Sequence, residues 1–147
     1  MRKYTHISTV MSAPSMPTRS GDVGLLITRL FFGLSMAWAH GLHKLPPSEK
    51  WIAKVESLGF MLPEFFAWSA GLAECAGGLL IAFGLATRGA ALSLLVTMGV
   101  AVFIAHGGDP FRKMELGLCY GVVSLMLTMI GPGRYSLDHL FSARRDQ

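Results

Sequence analysis

Four apolar blocks, each close to the length of one bilayer crossing, follow one another along this chain with short polar stretches between them. They run over 23–45, 65–85, 89–106 and 114–130. A helix rises about 1.5 Å per residue and a hydrocarbon core is roughly 30 Å thick, so about 20 residues make a span. Pro46 and Pro47 stop the first block, and Ala86, Thr87 and Arg88 form a hinge after the second. GGDPFRK separates the third from the fourth, which Gly131, Pro132 and Gly133 terminate. Four spans on short connections predict an all-α integral membrane protein, an antiparallel four-helix bundle. A soluble four-helix core is the plainer competitor, but soluble surface helices carry a polar face, and the third block lacks one.

Composition agrees. Hydrophobic residues make up 52% of the chain and charged residues 15%, against about 25% charged in ordinary soluble domains. The basic balance, 13 Lys and Arg against nine Asp and Glu, does not point to nucleic acid, because the cations sit in short groups between apolar blocks rather than striped along one helix. Basic loops between membrane spans account for them. Cys75 and Cys119 lie inside apolar blocks with no paired spacing, which argues against a disulfide framework or structural zinc. Both read as small buried apolar residues.

Residues 1–22 lack the apolar core of a secretory signal peptide and read as a flexible cytoplasmic tail, with Met11 and Met16 as alternative starts. Residues 23–141 form the membrane domain and 142–147 a basic tail. An even number of spans puts both termini on the side of Arg88, which collects Arg2, Lys3, Arg19, Arg88, Arg134, Arg144 and Arg145; the other side has Lys44, Lys50, Lys54, Arg112 and Lys113. The bias predicts cytoplasmic termini, with Trp38, Trp51 and Trp68 as anchors on the outer side. After GPG, Ser136 is placed to cap a short helix with Leu137, Leu140 and Phe141 on its apolar face.

Depth follows from alternating span direction. His40, His43 and Lys44 fall in the outer turns of the first span, Glu74 halfway along the second, His106 at the outer end of the third and Glu115 at the outer start of the fourth. An acid at mid-membrane is costly and usually faces a bundle interior or a water-filled cavity. Arg29, the internal cation of the first span, is the expected partner of Glu74 in a structural ion pair. His40, His43 and His106 are candidate ligands for a cofactor or a metal, and Glu74 and Glu115 are candidates for proton exchange. The plainer reading has the histidines and Lys44 reaching the interface without a ligand. Gly71, Cys75 and Gly78 give the second span a small face for close helix packing.

The chain resembles the DoxX family of small bacterial membrane proteins. The pieces that carry the resemblance are LLITRLFFGLSMAWAHGLHKL, AGLAECAGGLLIAFGLATRGAAL and GPGRYSLDHLF, in that order, over most of 23–141. It carries over Arg29, Gly33, Gly41 and Lys44, then Glu74 and Gly78, Thr87 and Arg88, and Gly131 to Asp138. It implies a four-helix protein of the bacterial inner membrane and links it to thiosulfate to quinone oxidation and to thiol and oxidative-stress systems.

With no nucleotide or flavin fingerprint and no separate soluble redox domain, the chain is expected to act as a membrane subunit of a respiratory or thiol/thiosulfate-linked redox system rather than as an enzyme alone. A quinone, haem or transition metal would occupy the outer half of the bundle. The expected partners are lipids and other membrane or redox subunits, with no nucleic acid, and oligomers are compatible with this reading. A non-catalytic assembly or scaffold subunit of a respiratory complex is the alternative. A small proton- or cation-coupled transporter with Glu74 as its site is a third.

Overall fold

The computed structural model describes residues 19–145, so most of the expected N-terminal tail, with Arg2, Lys3, Met11 and Met16, lies outside the described residues, as do 146–147. Helix α1 runs Arg19–Lys44, α3 Pro63–Phe83, α4 Thr87–Ala105 and α5 Phe111–Ile130, each long and apolar enough to cross a membrane. Two short helices complete the chain: α2, Glu49–Ser57, and α6, Leu137–Arg145. Helix α1 begins at Arg19, inside the stretch expected to be a tail, and Asp22 is buried there. The polar segment between the first two spans, expected as a loop, contains α2. Ser48 caps it by accepting the Trp51 N–H at 3.3 Å, and Glu49 and Lys54 suit the two ends of its dipole.

The spans pack in chain order: α1 on α3, α3 on α4, α4 on α5. Small residues make the α1–α3 seam. A Cβ on Gly33 would strike the Gly78 carbonyl, and one on Gly41 would strike the Cys75 backbone. Such contacts bring helix backbones together where lipid supplies no hydrophobic drive. Phe32, Met36, Ile81, Leu94 and Leu127 fill the core. The exterior is apolar, with Phe31 and Trp38 each 76% exposed, while Asp22, Arg29 and Glu74 are buried. That inversion of the soluble pattern suits a bilayer solvent.

The end that carries the α3–α4 turn, termed basal, is closed by the C-terminal segment. Gly84, at φ 70°, ends α3; a Cβ there would collide with the Arg29 guanidinium. Ala86 takes a left-handed φ of 47°, which an L side chain disfavours. Asp138 holds it: its Oδ1 accepts the Ala86 N–H at 2.7 Å and its Oδ2 the Thr87 N–H at 3.0 Å. Asp138 thus caps α4 from 51 residues away in sequence. Arg29 donates to the Tyr135 carbonyl, Asp22 accepts the Arg134 N–H at 3.3 Å, and Ser136 caps α6 by accepting the His139 N–H at 3.1 Å.

Candidate functional site

At the opposite, distal end, all four spans line one cavity of about 230 Å³. α1 contributes His40 and Lys44, α3 Glu74, α4 Met98 and Val102, the residue just past its end His106, and α5 Lys113 and Tyr120, with Met36 and Met114 also in the apolar wall. Two π-helical turns, Met36–Gly41 and Val100–Ala105, flank it. A π turn widens the helix by one residue, and such turns recur at functional sites. Here they lie on the two spans that present the histidines.

Glu74 is 2% exposed. Its Oε1 accepts from Lys44 Nζ at 2.6 Å, and its Oε2 is buried with no hydrogen-bond partner. The Lys44 ammonium also lies 4.9 Å from the centre of the Trp51 ring, a cation–π contact that fixes it from the α2 side. This geometry corrects the expected partnership. Arg29 does not pair with Glu74; it is bound to the Tyr135 carbonyl at the basal end. The side chain of Lys44, at the distal end of α1, reaches back along the helix to the carboxylate instead.

His106 Nδ1 lies 2.8 Å from Asp109 Oδ2, and Lys113 Nζ donates to Asp109 Oδ1 at 3.0 Å. The hydrogen bonds from His106 and then Lys113 hold the Asp109 carboxyl below the usual carboxylate range. In the neutral imidazole this pairing makes Nδ1 the donor and leaves Nε2 as an acceptor. His40 packs edge-on against Tyr120, their ring centres 5.4 Å apart. The cavity is therefore lined by a carboxylate with one oxygen unpartnered, two ammonium groups, two imidazoles and the Tyr120 phenol among apolar side chains.

Of the residues singled out in the sequence, His40, Glu74 and His106 are brought together here, whereas His43 and Glu115 are exposed and do not line the cavity. Among the described residues no group of three or more His, Cys, Asp or Glu side chains is placed to hold a metal ion. Cys75 is partly buried, but Cys119, expected to be buried, is exposed. Sequence reasoning missed Lys113, Tyr120 and Asp109 as members or supports of the site. The spacing His106, Asp109, Lys113 places the three around one helix start, and that was the available signal. For Lys44 it was the length of the side chain, which suits snorkelling and a reach inward equally.

Comparisons with known proteins bear on this arrangement. Residues 24–107 match the DoxX family. A Mycobacterium tuberculosis protein described as an uncharacterized membrane protein is 30% identical, the match covering 92% of this chain and 94% of that protein. The Bacillus subtilis protein named "Putative oxidoreductase CatD" is 31% identical over 82% of this chain and 88% of its own length. An uncharacterized Haemophilus influenzae protein is 32% identical over 80% of this chain and 83% of its own. No solved structure matches. Both the match to the family and the four apolar spans lead to one conclusion: this chain is a membrane protein of the DoxX family.

Proposed function

We propose that the protein is the membrane subunit of a quinone-linked redox system of the bacterial inner membrane, with the ring of a quinone or quinol held in the distal cavity. The observation that carries this reading is Glu74, which lines a cavity to which all four spans contribute and whose Oε2 is buried without a hydrogen-bond partner. A buried acceptor left without a donor is costly, and a ring hydroxyl would satisfy it. Lys44 and Lys113 supply donors for a ring oxygen, and His106, oriented by Asp109, supplies an acceptor at Nε2. A bound quinone would provide two-electron, two-proton chemistry; the residues of this chain would orient the ring and take or give its protons. The donor set suits a quinone better than a metal ion, since among the described residues no three acids, histidines or cysteines gather as ligands. The B. subtilis relative's name adds support from a separate direction. The basic bias of the basal side supports cytoplasmic termini, which puts the cavity in the outer half of the membrane. Electron donors would come from partner subunits.

The test is a titration of short-chain quinol into the protein in lipid nanodiscs, with organic extraction of the purified sample in parallel. Binding that falls at least tenfold in Glu74→Gln and in the double variant His40→Ala plus His106→Ala supports the reading. Equal binding in all three, or none to the native chain, overturns it and favours the assembly-subunit alternative.

A further inference from the structure

α1 and α5 face each other without the close backbone packing of the other neighbouring spans. They meet through the Tyr120 side chain, whose ring lies 5.3 Å from that of Phe32 and 5.4 Å from that of His40. Between the two helices runs a second cavity, of about 420 Å³, walled by Ile27, Phe31, Leu116, Cys119, Tyr120 and Val123 among others. Its rim opens on the bilayer face, where Ile27 is 61% and Phe31 76% exposed. Leu116 and Tyr120 line both cavities, so the apolar groove adjoins the polar one across these two side chains. From Leu116 to Val123 the groove follows α5 for about 10 Å at 1.5 Å per residue.

We infer that the α1–α5 groove is a lateral port: a lipid-soluble substrate enters the polar cavity from the bilayer through it, past Tyr120, and leaves its apolar tail lying in the groove. The inference rests on the quinone reading and adds the route of entry and the place where the alkyl or prenyl tail rests. Adjacency argues for this occupant. The polar cavity, lined by Glu74, Lys44 and His106, adjoins an apolar groove across Leu116 and Tyr120, and one molecule with a polar head and a greasy tail suits both once Tyr120 turns aside. The three other seams are closed by backbone-close packing, so the groove is where a tail can pass without separating helices. Tyr120 stands at the junction, in contact with His40, where the ring of an entering molecule must go by.

The experiment uses the native chain in proteoliposomes with a decyl-tailed benzoquinol that carries a diazirine midway along the tail, and with the same ring lacking a tail. Photolabelling is mapped by mass spectrometry, and affinities are compared in Ile27→Trp and Cys119→Trp, which fill the groove from opposite walls at exposed positions. Labels concentrated within 27–32 and 116–123, with the tailed probe weakened at least tenfold in either variant and the tail-less ring unchanged, support the port. Labels elsewhere, or equal effects on the two ligands, overturn it while ring binding leaves the quinone reading standing. Absence of ring binding together with unlabelled α1 and α5 overturns both. Protection of the groove by a second copy, seen as α1–α5 cross-links between chains in the absence of ligand, overturns the port and makes the groove a dimer interface.

Discussion

Lys44 Nζ and Glu74 Oε1 lie 2.6 Å apart, and the carboxylate is 2% exposed while the lysine side chain keeps 28% exposure. The pair joins the distal end of α1 to the middle of α3 and leaves the second carboxylate oxygen buried without a partner. Breaking a buried pair from one side strands a charge, at a cost of about 3–5 kcal/mol. Lys44→Met should lower the stability of the detergent-solubilised protein by roughly that amount, discounted because the lysine is partly exposed. Lys44→Met combined with Glu74→Gln should recover much of the loss. A thermal-unfolding double-mutant cycle reads the coupling, and additive losses would show the pair to be energetically idle.

Asp109 is held ionised by His106 and Lys113, with its carboxyl below the usual range. Because its folded pKa is depressed, the stability it contributes is fully present above the unfolded carboxylate pKa, about 4, and is lost as pH falls through the lower folded value. The difference in melting temperature between the native chain and Asp109→Asn should therefore shrink as pH falls below about 4. A difference that does not shrink there would contradict the assignment.

Asp138 caps α4 across the basal end. Asp138→Ala should cost about 1–2 kcal/mol and raise proteolysis at the Gly84–Arg88 turn. Ala86→Gly, which relieves the left-handed φ of 47°, should stabilise the native chain by about 1 kcal/mol. Limited trypsinolysis and melting temperature measure both, and a destabilised Ala86→Gly would show the side chain to be tolerated there at no cost.

The α1–α3 seam depends on absent side chains. Gly33→Val and Gly41→Val each place a branched Cβ against the backbone of α3, so each should sharply reduce the yield of monodisperse protein. Gly24→Val, where nothing lies within 4 Å of the added carbon, should leave it unchanged. Size-exclusion profiles after detergent extraction distinguish them.

The four spans were legible in the sequence because lipid imposes a length and an apolar content that few alternatives satisfy. The small-residue seam was legible too, at Gly71, Cys75 and Gly78, since close packing in a membrane needs it. Helix α2 was not, because at nine residues it is too short to be stable alone, although Trp51, Ile52 and Val55 give it an apolar face. The partner of Glu74 was misread for a geometric reason. Sequence depth ranks residues along one axis, and Arg29 and Lys44 both qualify by side-chain length. Arg29 is instead drawn to the basal end by the Tyr135 carbonyl, supplied by a segment 106 residues away that no local pattern announces. Asp109 escaped notice because its role is to orient His106 from a loop. His43 and Glu115 illustrate the converse: the helical face on which each lies turns away from the cavity, which spacing within a single helix does not reveal.

The most direct test of the account is infrared difference spectroscopy of the protein in lipid nanodiscs upon addition of a tail-less benzoquinol, with Glu74→Gln as the control. The account predicts a shift of a carboxylate stretching band on binding that is absent in Glu74→Gln, as the free oxygen of Glu74 gains a donor. Binding without any Glu74-dependent band, or an identical spectrum from the variant, would contradict the claim that this carboxylate receives the substrate.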